Sequence, residues 1–513
     1  MNLRGIISLA SLALLGTTVA YGHPREGDSI HDLRLERESI IGQCRRAYYT
    51  SGAATMHFAD STSFSTAALA ADISKLDDPV TVQEGSGHNR YGLTAESTYK
   101  LSPVSTVWGH AGYQRRKTRD ISLCDVTGYE TIAPFVAGDD TGGDLSSQQY
   151  DFGGGWDRVY GTWTLGVEAD YSAAVAHRAT DPRVRNIVSD LNVGIGGAHR
   201  IGRGYWLGVN CGVRIYHQDT DVDFYNPTTH AITMVFTGLG STASRFKGAD
   251  AQSTTHRLTG FNATLQLVPV RSDDSFYASV TADLTGADLI LDGYSNLKFG
   301  STSTRTIGGS LSRAVTIRAV SLFPTVKGYY RTRTATENLF GSSAENYEKI
   351  GQRENYHHDC SSAIIGIPAA WHLKGSRATI TLDLQAGYIH DKEYLVEPSR
   401  SLTTGSLISS VTLEATKRLG SHWAVGLETG YHGRAVKSTS AVWGGLDLTS
   451  AIGEMTLHNY MMASCDINAL HGGVTVSRSL RTSVVSFSAR YERSDYRHLN
   501  KGQRFVTNLS LSF

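Results

Sequence analysis

The residues that could do chemistry in this sequence fall into two sets. The first is a series of charges on alternate positions of apolar–polar runs: Glu168, Asp170, Arg214, Asp283, Asp383, Glu414, Glu428, Arg490 and Glu492. Carboxylates and guanidinium groups gathered along one wall can sort solutes by charge and size, as rings of side chains do in channels. The same groups can also pair with each other and simply fill space. The second set is the run Tyr356, His357, His358, Asp359 and Cys360, the densest cluster of metal-ligand types. On an extended segment neighbouring side chains point to opposite faces, so His357 and His358 make no ready chelate. Glu428 and His432 offer a carboxylate and an imidazole on one face, but alternation produces such pairs without any catalytic demand. Neither G-x-S-x-G nor H-E-x-x-H occurs. The expectation is no catalytic residue, no metal and no cofactor.

The elements that must carry these charges are strands. Trp163, Leu165, Val167, Ala169 and Tyr171 alternate with Thr164, Gly166, Glu168, Asp170 and Ser172. Period two means a strand with two different environments. The same alternation sets Arg214 against Val213 and Ile215, Asp283 against Ala282 and Leu284, and Asp383 against Leu382 and Leu384. It sets Glu428 against Leu427 and Thr429, and Arg490 and Glu492 against Ala489 and Tyr491. These runs reach ten residues or more, above the usual ~5 to 6 of soluble sheets and close to the ~9 to 11 that a tilted strand needs to cross a bilayer. Trp163 and Tyr171, Trp423 and Tyr431, and Phe505 and Phe513 each lie eight residues apart on the apolar face. At ~3.3 Å per residue and ~40° of tilt this places the rings ~20 Å apart, the separation of two aromatic girdles. The six clearly patterned apolar faces carry no Lys or Arg, as hydrocarbon contact requires.

Link lengths supply the topology. Short links are expected near Ser102, Gly161, Gly202 to Gly204, Ser272 to Asp274, Arg313, Lys374 to Ser376, Gly420 and Leu480. Longer polar stretches run from Arg119 to Ser147, Asp221 to Thr255, Thr334 to His357 and Ser438 to Tyr460. Short turns at one end and long loops at the other are the signature of an all-β, antiparallel, up-and-down transmembrane β-barrel. From a first strand near Ser65 to Lys75 to a last at Gln503 to Phe513, the count is about 18 strands, within about 16 to 20. Leu297 to Ala319 alternates poorly, and Pro324 and Pro368 interrupt strands where a ladder donor would be wanted.

Composition agrees and sets limits. The 513 residues carry 48 Lys+Arg against 48 Asp+Glu, a balance that argues against a nucleic-acid partner. Mean hydropathy is −0.22, too polar for a bundle of membrane helices. Residues 1–22 have a basic start, an apolar run and small residues near Ala20 and Gly22, the pattern of a cleaved signal peptide. The five cysteines are dispersed, with no C-x-x-C pair, a poor disulfide framework and a poor zinc site. In the segment 23–64, Ile30, Leu33, Ile40, Ile41 and Cys44 fall at helical spacing. They predict a short helix in the lumen or at the periplasmic mouth, a tether packed beneath the barrel being the simpler arrangement.

The final RFVTNLSLSF alternates Phe505, Thr507, Leu509, Leu511 and Phe513 and stops on the aromatic residue. It resembles the terminal strand of bacterial outer-membrane proteins, which implies recognition by the barrel-assembly machinery. DPRVRNIVSDLNVGIGG (181–197), IYHQDTDVDFYN (215–226) and FTGLG (236–240) resemble an uncharacterised outer-membrane barrel family of Bacteroidota, a domain of unknown function. That likeness spans most of the chain and brings no catalytic residues. TonB-dependent transporters are similar in kind but carry a folded plug domain, for which 23–64 leaves little room. The sequence therefore predicts a signal peptide (1–22), an N-terminal periplasmic or luminal segment (23–64) and an outer-membrane barrel (65–513) that contacts lipid and lipopolysaccharide. Its expected function is a passive or substrate-selective channel, lined by the charges above and banded by the aromatic pairs. The alternative is a structural or interaction barrel with a plugged lumen, a partner in secretion or surface assembly.

Overall fold

The computed structural model describes residues 30–513 apart from 227–230, 249–252, 272–274, 342–346, 374 and 498. The signal-peptide expectation for 1–22 lies outside the described residues. Eighteen antiparallel strands form one closed barrel. In chain order they are β1 (Phe64–Leu76), β2 (Gly87–Ser102), β3 (Ser105–Ile121), β4 (Gly143–Tyr160), β5 (Trp163–Arg178) and β6 (Arg183–Ile201). Next come β7 (Tyr205–Asp223), β8 (Thr254–Pro269), β9 (Phe276–Leu291), β10 (Leu297–Arg313), β11 (Thr325–Phe340) and β12 (Lys349–Leu373). The last are β13 (Ala378–Leu395), β14 (Arg400–Leu419), β15 (Trp423–Val442), β16 (Ile467–Ser479), β17 (Val484–Tyr496) and β18 (Asn500–Ser512). Each strand pairs with the next, and β1 pairs with β18 from Thr66–Ser512 to Leu76–Gly502. This last pairing leaves no sheet edge, so every ladder donor in the wall has a neighbour.

Alternation decides which side chains meet lipid. Along β5, Leu165 and Val167 are 53% and 48% exposed on the outside, while Thr164, next to Leu165, is 0% exposed on the inside. Trp163, Tyr171, Trp423, Phe505 and Phe513 are exposed on the outer face. Tyr431 is half-buried, its hydroxyl donating to Asn468 Oδ1 at 2.6 Å. Among the described residues no helix is long and apolar enough to cross a membrane.

Three local expectations need correction. Most of the polar stretch Thr334 to His357 is strand: β11 runs on to Phe340 and β12 begins at Lys349, so the pair climbs well past the apolar belt before turning. Polarity there marks height above the lipid, which the eye takes for a loop. The link after Arg313 is longer than a tight turn and holds a small hairpin, Val315–Ile317 with Val320–Leu322. Pro324 and Pro368 both sit at its base. The β11–β12 ladder ends at Thr325–Gly366 and pairing resumes at Leu322–Ala369, so the two prolines fall in the gap where no donor is needed. The links at Gly161 and Gly420 are the tight turns expected, each glycine having a φ near +65° (+63° and +67°) that L side chains rarely adopt.

A charge placed on the outer face halfway between the girdles should be expelled by the lipid. Leu427, 60% exposed and four residues from Trp423 and from Tyr431, is that position. Leu427→Arg is expected to destabilise the folded barrel by about 2–4 kcal/mol, read from reversible denaturation in lipid vesicles. A loss below about 1 kcal/mol would mean that this face does not meet hydrocarbon.

Candidate functional site

Both mouths of the barrel are occupied. At the short-turn end sit α1 (Ile30–Glu38), α2 (Ile40–Tyr49) and a 3-10 turn (Ala53–Phe58). Ser39 breaks the two helices and caps the second, its hydroxyl oxygen accepting from Gly42 N at 2.9 Å. The segment does not pack beneath the barrel as a tether; it enters the mouth. Tyr48, Tyr49 and Ala54 pack against Trp206, Val268, Tyr277 and Phe323 of the inner wall. The grip around this apolar contact is polar. Tyr48 Oη lies 2.7 Å from Ser312 Oγ, Tyr49 Oη donates to Pro269 O at 2.9 Å, and Thr164 Oγ1 donates to Ala54 O at 2.5 Å. His31 shares a 3.0 Å hydrogen bond with Ser477, Arg34 donates to Ser510 Oγ at 3.0 Å, and Asp32 pairs with Arg418. Gly166 makes the approach possible, since a Cβ there would collide with the Ala53 carbonyl. Beside the helices a cavity of about 830 Å³ opens, its walls including Arg37, Arg45, Arg46, Asp60 and Lys100.

At the long-loop end, the links after β3 and β7 fold inward and pair as a small sheet, Val136–Asp139 with Thr233–Gly238. Met234 and Phe236 pack on Tyr216 and Leu258 of the wall, and Phe135 and Phe246 on Leu289 and Phe299. The link after β15 contributes α3 (Ala451–Ala463), capped by Ser450. α3 is held by Asn459 Oδ1 accepting from Val82 N at 3.0 Å and by Arg434, which donates to Met462 O at 2.7 Å. Deep in this packing Arg178 lies between two fully buried carboxylates, Asp125 at 3.1 Å and Asp139. Burial and the neighbouring Asp139 push the Asp125 carboxyl well above the usual range.

Between the two occupied ends the wall is charged, and here the sequence-predicted residues lie. Arg214 makes a two-pronged bond to Asp190, at 2.9 and 2.7 Å. Asp170 lies 3.7 Å from His110, with both side chains nearly half exposed although they face inward. That exposure marks open space inside the barrel. Asp283 accepts from Thr285 Oγ1 at 2.8 Å, Asp383 from Gln385 at 2.7 Å, and buried Glu414 from Thr416 at 3.3 Å. Glu168, half-buried, reaches toward Gly194 of β6. Glu428, Arg490 and Glu492 come together: Arg490 is 3.2 Å from Glu428 and 3.5 Å from Glu492. Glu414 lies directly opposite Glu428 across the β14–β15 ladder. Arg214, Asp283 and Asp383 bind partners on their own or the adjacent strand, and Asp170 faces His110 two strands away. Of the Tyr356–Cys360 run, His357 stacks on Tyr394 at 4.6 Å while His358 turns to Asp391 at 3.0 Å. The two histidines therefore point to opposite faces, as extended geometry requires. All five cysteines are free.

Sequence reasoning passed over several members of this wall. Asp72, gripped by Arg90 at 2.8 Å and Arg504 at 2.9 Å, lies in a first strand too rich in alanine to show alternation clearly. Asp190 and His110 lie on strands rich in glycine, and His471 precedes Gly472 and Gly473. Glycine erases the apolar half of the pattern, and the polar half then passes for a link.

The grip of the N-terminal segment should depend on acidity. Burial, with Arg418 nearby, lowers the His31 pKa to about 4, and burial, with Lys100 nearby, lowers that of His57 to about 4, from an ordinary 6.5. Above pH 6.5 both imidazoles are neutral whether the segment is seated or not, and seating is at full strength. As the pH falls from 6.5 toward 4 the unseated segment takes up protons that the seated one refuses, so seating weakens. Hydrogen exchange of the α1 and α2 amides, corrected for intrinsic rates, should be faster at pH 5 than at pH 7.5. Equal corrected rates would refute the linkage.

Solved structures similar to this chain include a mutant ferric enterobactin receptor from Pseudomonas aeruginosa, at 9% identity over 88% of this chain and 80% of that one, with a TM-score of 0.38. The ferric preacinetobactin receptor from Acinetobacter baumannii is similar at 7% identity over 88% and 80%, with a TM-score of 0.39. The ferric citrate transporter in its unliganded form is similar at 9% over 88% and 79%, with a TM-score of 0.36. At such identities nothing about substrate or mechanism passes to this chain. No curated protein matches the sequence. Residues 53–513 match the model of a Family of unknown function (DUF6850), and with that match spanning the whole barrel, the chain belongs to this family.

Proposed function

We propose that this protein is a gated transport barrel of the bacterial outer membrane, reached through a cleaved signal peptide, which passes a small polar solute without covalent chemistry. The observation that carries the reading is a polar, partly exposed inner wall held between two occupied mouths. A barrel whose only task is structural has no need of open space beside Asp170 and His110, both nearly half exposed inside it. A permanently open diffusion pore has no need of a segment bound by hydrogen bonds to β5, β8, β10, β16 and β18. The two closures differ in kind. The loop end is built around apolar clusters and a buried Arg178–Asp125–Asp139 set, whose breakage is costly. The N-terminal grip joins one aromatic cluster to a ring of single hydrogen bonds, each of which water can replace at modest cost. In this reading the N-terminal segment is the movable part and the loops fix what may enter. The rival reading, a closed interaction barrel for a surface or secreted partner, draws on the same two closures.

Planar-bilayer recording separates them. The full mature chain is expected to be electrically silent or to open rarely, and deletion of residues 30–58 is expected to give stable current steps that scale with salt. Asp170→Asn and Arg490→Gln in the deleted form should then shift the cation-to-anion preference in opposite directions. A folded deletion variant that stays silent would overturn the gate. Silence that persists after residues 451–463 are also replaced by a short linker would leave the interaction barrel.

A further inference from the structure

The wall holds one group of side chains that channel lining does not explain. His432 on β15, His471 on β16 and Glu492 on β17 face inward on three consecutive strands, with one ligand atom from each lying within 4.8 Å of the others. His471 and Glu492 are direct cross-strand neighbours, and His471 is opposite Gly430. A Cβ at position 430 would collide with the His471 ring, so the glycine makes the recess in which the imidazole lies. We infer that these three side chains form a binding site for a divalent first-row transition metal ion, of the zinc class, on the inner wall of the barrel.

Three features point to a ligand. First, His471 is 5% exposed, yet neither its Nδ1 nor its Nε2 makes a hydrogen bond to a described residue. Buried imidazole nitrogens are normally satisfied, and one that is not asks for a partner. Nε2 lies 3.1 Å from Glu428 Oε1 but outside hydrogen-bond alignment. Second, the two oxygens of Glu492 are divided. Oε2 faces Arg490 at 3.5 Å, while Oε1 points toward His432 Nε2 at 4.0 Å. That 4.0 Å gap is longer than a hydrogen bond. A bound ion would draw the two ligands together by rotation of two partly exposed side chains. Third, the surroundings favour a cation: the carboxyl groups of Glu414, Glu428 and Glu492 gather here against the single guanidinium of Arg490, with Glu414 directly opposite Glu428. Arg490 also holds Glu428 and Glu492 in place, as outer-shell partners do around metal ligands.

The donor set decides the ion. Two imidazoles and one carboxylate suit zinc and its first-row neighbours, whereas calcium and magnesium require mostly oxygen donors. Three protein ligands leave a coordination position free on the chamber side, the arrangement that separates open sites from closed structural ones. The site does not depend on the barrel being a channel, since binding is read at equilibrium and not as current.

The test uses the folded full-length mature chain in detergent, stripped with a chelator and titrated at about pH 7.5 with zinc ion alone against a chromophoric competitor. One equivalent should bind to the wild type. His471→Ala and Glu492→Gln should each weaken binding by more than the about 10- to 100-fold typical of lost outer-shell partners. His110→Ala, remote from the cluster, should leave it unchanged. Heat-modifiable gel mobility reports whether each variant has kept its barrel, and the near-isosteric Glu492→Gln keeps the test sharp if His471→Ala fails to fold. The inference is overturned if the wild type binds no zinc, or if folded Glu492→Gln and His432→Ala chains bind it as tightly as the wild type does.

Discussion

In hydrocarbon no water is present to satisfy a backbone amide, and this one constraint underlies the rest of the molecule. A sheet can meet it only by closing, and β1 paired to β18 is the closure. Once the wall is closed its two faces part company. The outer face must be apolar and free of charge, which sets Leu165, Val167 and Leu427 on every second position. The inner face is released from that demand and can hold Asp170, Arg214 or Glu428. The charged interior is thus a consequence of the apolar exterior, and the function class follows from what the interior is given to hold.

A cylinder of eighteen strands is too wide for its own side chains to fill. This chain fills the ends with backbone drawn from elsewhere, in two physically distinct ways. The loops after β3, β7 and β15 bring aromatic and aliphatic residues such as Phe135, Phe236, Phe246 and Met455 into clusters with the wall. The N-terminal segment brings a small aromatic patch, Tyr48 and Tyr49, ringed by serine, threonine and arginine contacts. One end is closed by loop clusters and the other by a buried aromatic contact set within a polar ring. Between them wall charges pair sideways with adjacent strands, as Arg214 does with Asp190.

Much of the barrel was legible in the sequence because lipid imposes period two with few exceptions. The strands carrying Glu168, Arg214, Asp283, Asp383, Glu428 and Arg490 could be read, together with their direction of facing. The illegible parts share causes. Strands that rise above the lipid, such as the upper halves of β11 and β12, lose the apolar half of the pattern. β16 hides behind Gly472 and Gly473, so His471 carries no alternation signal, whereas the strands of Glu428, Arg490 and Glu492 around it alternate plainly. The pairing of Pro324 with Pro368 in one gap depends on two strands that meet only in the fold. That the helical spacing of Ile30 to Cys44 ends inside the mouth also depends on partners far along the chain.

Those distant partners bear on the order in which the molecule is made. Arg34 reaches Ser510 and His31 reaches Ser477, separations of 476 and 446 residues. The segment that leads the chain thus finds several of its receptors on the strands synthesised last, and the seat is incomplete until β18 has closed against β1. Long-range contacts of this kind form late because the chain between them must first be ordered. The seat for residues 30–58 is therefore complete only in the closed barrel: seating is a built-in sign, carried by the first residues of the fold, that the last ones have arrived.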